Sequence, residues 1–63
     1  MLKDKIKQAR LDSGMTQREL AEKVGAIPQT IMKYEKGLRN PKIDMIQKIA
    51  QATGKEITYF LEV

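Results

Sequence analysis

The side chains best suited to chemistry in this 63-residue chain lie between residues 28 and 42. If residues 28–36 form a helix, each residue turns by ~100°, and Gln29, Lys33 and Lys36 then share one side. An amide and two ammonium groups on one outward stripe suit a polyanion with readable edges, for which duplex DNA is the natural candidate. Arg39 and Lys42 extend the positive charge beyond the end of this helix.

Two side chains of this stripe can read bases. A glutamine amide can both donate and accept at adenine, and a lysine can donate to guanine O6 and N7. We therefore expect Gln29 and Lys33 to face base edges, with Met32 and Pro28 beside them for apolar contact. The alternative is that Gln29 and Lys33 are ordinary exposed residues.

A second group of polar residues is suited to the DNA backbone, which positions a protein without specifying sequence. Gln17 stands at the start of the preceding helical pattern, where unpaired backbone N–H groups also attract a phosphate. Lys36, Arg39 and Asn40 are the other predicted phosphate contacts. The alternative is again a solvated polar surface.

Catalytic chemistry is not predicted. The chain has no histidine and no cysteine, its carboxylates are scattered, and it has no glycine-rich phosphate loop. Ser13 is expected on the interior face of a helix. We therefore expect no enzyme activity, no metal site and no cofactor.

The stripe must be positioned by two short helices joined by a turn, over residues 16–40. Thr16 and Glu19 form the pattern of a capping box, so a helix is expected to start at Gln17. Gly25 is predicted to end that helix in a left-handed conformation, and Pro28 suits the first position of the next. A helix, a turn with glycine and a second helix are typical of a helix-turn-helix.

The remaining helices follow from apolar spacing. A first helix is predicted over residues 2–12, and a fourth from Ile43 to Thr53, with Ile43 on its buried side and Lys42 as a weak start signal. The final segment, residues 56–63, holds more apolar groups than a short helix can bury. Its members Ile57, Phe60 and Leu61 either complete the core or form a dimer contact.

Length and charge set the limits of the whole chain. Sixty-three residues make one domain, residues 1–63, without a disulfide or an ordinary zinc site. No apolar run approaches the ~20 residues of a membrane span, so an unexported, cytoplasmic protein is expected. Residues 1–42 carry ten basic and five acidic side chains, against two and three in residues 43–63. The positive field therefore belongs to the helix-turn-helix half.

These residues carry a family resemblance. The run TQRELAEKVG at 16–25, Ile31, the Y-E-x-G pattern at 34–37, and residues 39–41 resemble the lambda repressor/Cro-type (XRE) helix-turn-helix family. The similarity extends from Ile6 to Leu61. It implies a compact, all-α, five-helix domain whose helices 2 and 3 form the helix-turn-helix, with helix 3 in the major groove and a dimer on an inverted repeat. It also implies an ion pair between Arg10 and Glu35.

Two residues depart from the family pattern. Ile27 replaces the usual Ser or Thr cap of helix 3, and Pro28 occupies a position that often supplies a polar base-reading side chain. Specificity is therefore expected to depend on fewer hydrogen bonds and more apolar contact.

The function expected from sequence is a DNA-binding transcriptional regulator, a repressor by resemblance, that is a homodimer on its operator and largely monomeric when free. Alternatives are an antitoxin or a restriction–modification controller built on the same domain. A helix-turn-helix that serves only as a protein interaction module is a third reading.

Overall fold

Five α-helices form the fold in the computed structural model, which describes residues 1–62. They are α1 (Leu2–Asp12), α2 (Gln17–Val24), α3 (Pro28–Lys36), α4 (Ile43–Thr53) and α5 (Ile57–Leu61). No strand occurs in this part of the chain. The all-α, five-helix prediction is confirmed, and the bounds of α1, α2 and α3 agree with those expected from sequence.

The core lies where the apolar stripes of the helices meet. Four large side chains are fully buried there: Ile6, Leu20, Ile31 and Ile49. Helix α2 packs against α3 and α4, while α1 packs against α3, α4 and α5. The recognition candidate α3 is therefore supported from behind by two helices, and its opposite side is left uncovered.

The predicted capping box is present at the start of α2. Thr16 Oγ1 accepts a hydrogen bond from the Glu19 backbone N–H at 3.1 Å, and Glu19 Oε1 accepts from the Thr16 backbone N–H at 2.9 Å. The hydrogen bond from the Thr16 backbone is the main cause that holds the pKa of Glu19 below its ordinary value, and the Thr16 side chain lowers it further. Gly25 ends α2 with φ of +74°, so the chain turns where glycine was expected to allow it.

Two expectations about individual residues are wrong. Ile43 begins α4 but is 54% exposed, because the first turn of α4 lies at the margin of the core. Ser13 is not inside a helix: it follows the last residue of α1, and its Oγ lies 2.9 Å from the carbonyl oxygens of both Ala9 and Thr53. The hydroxyl therefore links the end of α1 to the end of α4.

The C-terminal helix α5 divides its apolar residues between two environments. Phe60 is buried in the core, whereas Leu61 is 52% exposed. The ring of Tyr59 lies under two ammonium groups, with its centroid 4.6 Å from Lys5 Nζ and 5.0 Å from Lys55 Nζ. These cation–π contacts fasten α5 to α1 and to the loop before α5. Val63 of the predicted final segment lies outside the described residues.

None of the helices within residues 1–62 is both long enough and apolar enough to cross a membrane.

Candidate nucleic-acid interface

The outward side of α3 carries the three polar side chains expected there. Gln29, Lys33 and Lys36 are exposed, whereas Ile31 and Tyr34 on the opposite side are buried. Burial of these two residues fixes the rotation of α3 about its axis, because their side chains are enclosed by the core. The structure thus brings the two predicted base-reading residues and one predicted phosphate contact to a single exposed stripe.

The two predicted apolar neighbours, Pro28 and Met32, are half-buried at the margin of this stripe. Pro28 is the first residue of α3, and Ile27 before it makes no side-chain capping bond. Ile27 is 59% exposed, so it does not fill the core. The start of α3 therefore presents apolar surface beside Gln29.

A bidentate ion pair ties α1 to the back of α3. Arg10 Nε donates to Glu35 Oε2 at 2.7 Å, and Arg10 Nη2 donates to Glu35 Oε1 at 3.1 Å. The two side chains are only 11% and 4% exposed. Arg10 Nη1 also donates to the carbonyl oxygen of Met15 at 2.9 Å, just before the capping box of α2. Arg10 thus joins α1, the start of α2 and α3.

Gln17 has a contact that sequence reasoning missed. Its Nε2 donates to Glu35 Oε1 at 3.2 Å, so one carboxylate receives hydrogen bonds from both α1 and α2. Gln17 is half-buried at the first position of α2, and this bond restricts the orientation of its amide. The sequence around Gln17 gives no indication of this bond, because the partner residue lies 18 positions away in the chain.

The remaining predicted phosphate contacts lie in the loop after α3. Arg39 and Asn40 are exposed there, beyond Gly37, which ends α3 with φ of +75°. The backbone N–H of Leu38 donates to the Lys33 carbonyl oxygen at 2.9 Å, which fixes the exit of the chain from the helix. Leu38 itself is 72% exposed, an apolar surface that the sequence reading did not consider.

The surface formed by the α3 stripe and the loop after α3 is positively charged. Lys33, Lys36, Arg39 and Lys42 are all exposed, and none of them forms a salt bridge within residues 1–62. Glu35 is the acidic residue of α3, and its charge is directed inward to Arg10. The arrangement can attract and hold an extended anion. Within the same residues, no group of three or more histidine, cysteine or carboxylate side chains could hold a metal ion.

The chain is similar to known helix-turn-helix proteins. The Helix-turn-helix family model matches residues 6–60. An uncharacterized HTH-type transcriptional regulator of Methanothermobacter thermautotrophicus is 45% identical over 51 residues, which are 81% of this chain and 74% of that protein. The cryptic phage CTXphi transcriptional repressor RstR of Vibrio cholerae is 33% identical over 57 residues, 90% of this chain and 51% of RstR.

A solved structure shares the fold. The crystal structure of the clp gene regulator ClgR from C. glutamicum has a TM-score of 0.88 and 27% sequence identity, covering 95% of this chain and 78% of that one. The two relatives are named as a transcriptional regulator and a transcriptional repressor, and ClgR is named as a gene regulator.

Proposed function

Because the chain belongs to the helix-turn-helix family of the lambda repressor/Cro (XRE) type, we propose that it binds double-stranded DNA sequence-specifically and reads the major groove with α3. The observation that carries this proposal is the exposed stripe of Gln29, Lys33 and Lys36 on a helix whose other side is fixed by the core. A rigid helix with outward amide and ammonium groups can present them repeatedly in one geometry.

Base reading is assigned to four residues of α3. Gln29 and Lys33 make the hydrogen bonds, and the half-buried Met32 and Pro28 make apolar contacts at the helix margin. A good bidentate pairing separates the right from the wrong base by about 1 to 3 kcal/mol. Since the first turn of α3 offers apolar groups in place of a polar cap, thymine methyl groups are suitable partners there.

Backbone binding is assigned to residues on either side of this stripe. Gln17 and the start of α2 meet a phosphate on one side, and Lys36, Arg39 and Asn40 meet phosphates on the other. Support for Gln17 comes from its position at the N-terminus of α2 and from its bond to Glu35, which restricts the amide before DNA arrives.

The regulatory role proposed is repression by a homodimer on an inverted-repeat operator. Repression is supported by the similarity to the repressor RstR. A repressor can block transcription simply by occupying DNA. The same domain would serve in an antitoxin or a restriction–modification controller, and these share the DNA-binding step.

The DNA-binding claim is tested by measuring the affinity for a random-sequence duplex across a salt series. Each phosphate neutralised by a lysine or arginine contributes ~0.9 to the slope of log K against log salt. We expect a steep slope that reflects several such contacts. A flat response would contradict DNA binding and favour a protein interaction module whose basic side is merely solvated.

A further inference from the structure

We infer that Lys3, in the first turn of α1, and Lys36, at the end of α3, hold one phosphate of the DNA backbone between them. The inference rests on the proposed DNA-binding function and extends it, because none of the contacts assigned above comes from α1. It would make the N-terminus of α1 part of the nucleic-acid interface.

A cleft separates the start of α1 from the end of α3. Its walls are formed by two short runs: Met1, Leu2 and Lys3 on one side, and Lys36, Gly37 and Asn40 on the other. The stem of Lys3 passes directly over Gly37, since a Cβ atom at Gly37 would lie 3.0 Å from Lys3 Cδ. The absence of a side chain at Gly37 therefore lets Lys3 approach the end of α3 closely.

The two lysine charges at this cleft have no carboxylate partner, whereas the N-terminal ammonium of Met1, which also lines the cleft, lies 3.7 Å from Asp4 Oδ2. Neither Lys3 nor Lys36 forms a salt bridge within residues 1–62. By contrast, Lys5 Nζ lies 3.6 Å from Glu62 and Lys55 Nζ lies 3.1 Å from Asp12. No acidic residue lines the cleft, and the Asn40 side chain adds an amide donor. Two ammonium groups and an amide without a carboxylate form a site for an oxyanion.

Continuity with α3 indicates which oxyanion fits. Lys36 belongs both to this cleft and to the outward stripe that includes Gln29 and Lys33. A DNA backbone that borders the groove entered by α3 would therefore pass the cleft at the C-terminal end of the helix. Lys3 also lies at the C-terminal end of α3, where the helix dipole is negative, and a lysine there stabilises the fold. That stabilising role alone would not change the salt dependence of DNA binding.

The test compares Lys3→Gln with Lys48→Gln on a random-sequence duplex across a salt series. Lys48 is an exposed lysine of α4 that lines a separate surface with Lys23, so its substitution removes the same charge elsewhere. Lys3→Gln should reduce the slope of log K against log salt by up to ~0.9, which is as much as ~8-fold weaker binding near 0.1 M salt. Lys48→Gln should leave the slope close to that of the parent.

Equal slopes for the two variants would overturn the inference while leaving the proposed function intact. Failure of the parent protein itself to bind would overturn the proposed function instead. Thermal melts should show that both variants remain folded, because both lysines are exposed and form no salt bridge within residues 1–62.

A double-variant comparison tests whether the two lysines share one phosphate. Residues that act on the same group give non-additive free energies. The factor by which Lys3→Gln with Lys36→Gln weakens binding should therefore differ from the product of the two single factors. A double effect equal to that product would show that the lysines bind separate phosphates and would contradict the shared cleft.

Discussion

At the scale of single residues, Glu35 connects the helices that carry the candidate interface, although its own carboxylate is turned away from the exposed stripe. It receives two hydrogen bonds from Arg10 and one from Gln17. Through these bonds, one buried carboxylate on α3 fixes α1 and the first residue of α2. The position of α3 relative to the predicted phosphate contact at Gln17 is therefore set by side chains that do not themselves read DNA.

Removal of Arg10 should destabilise the domain severely. Arg10→Ala leaves Glu35, whose side chain is 4% exposed, as a buried charge without its cation. Such a loss costs about 3 to 5 kcal/mol of unfolding free energy. Urea unfolding followed by circular dichroism measures it, with the exposed Lys7→Ala of the same helix as the control. An Arg10→Ala midpoint equal to that of Lys7→Ala would remove the ion pair from the account of stability.

Base-reading and phosphate-binding residues should respond differently to substitution. Gln29→Ala and Lys33→Ala should cost about 1 to 3 kcal/mol on a preferred site and less on unrelated DNA, because each removes a proposed base contact. Arg39→Ala should weaken all sequences alike and reduce the salt slope by ~1. Affinities on matched specific and random duplexes separate the two classes. A change of base preference with Arg39→Ala alone would mean that α3 docks in another way.

At the scale of elements, the helix boundaries could be predicted because their signals are local. Thr16 and Glu19 mark the start of α2 by bonds to each other, three residues apart. Gly25 and Gly37 mark the ends of α2 and α3, where each allows the chain to turn. Such signals need no knowledge of the rest of the fold. The exposure of the α3 stripe followed equally from the 3.6-residue period of a helix.

Contacts between elements could not be predicted in the same way. The bond from Gln17 to Glu35 and the passage of Lys3 over Gly37 depend on how the helices pack, which spacing along the chain does not reveal. The ion pair of Arg10 with Glu35 was expected only through family resemblance. Ile43 was misplaced because its spacing matched the buried stripe of α4, whereas the first turn of that helix lies at the margin of the core.

The capping box of α2 should make stability depend on pH through Glu19. The pKa of Glu19 lies below its ordinary value of 4.5, so the unfolded chain binds the proton more tightly than the folded one. The stabilisation is therefore complete above pH 4.5 and is lost as the pH falls through the lowered pKa. Glu19→Gln keeps a hydrogen-bonding side chain at this position but cannot titrate.

Thermal midpoints of the parent and of Glu19→Gln, measured from pH 7 to pH 3, test this dependence. Asp12, whose pKa is lowered by hydrogen bonds from Gln8 and Lys55, is present in both proteins and therefore contributes equally to them. The advantage of the parent should shrink below about pH 4.5. A difference that stays constant over the whole range would show that the charge of Glu19 does not contribute to the cap.

At the scale of the whole molecule, much of the basic surface and two exposed apolar residues lie around one helix, α3. Ile27 before α3 and Leu38 after it are 59% and 72% exposed, and the loop between α3 and α4 carries Arg39 and Lys42. The rest of the domain holds α3 in place: α2 packs on it directly, and α1 is tied to it by the ion pair. A rigid support for one exposed helix is the arrangement that a DNA reader needs.

The most direct test of the central claim is selection of binding sites from a random duplex library by the parent protein, followed by sequencing. Two copies of α3 in successive major grooves would be ~34 Å apart, so the proposed homodimer predicts an inverted repeat with half-sites one helical turn apart. Enrichment of such a repeat is the expected result. A library that stays random would contradict sequence-specific binding, and recovery of one asymmetric half-site would contradict the two-fold arrangement.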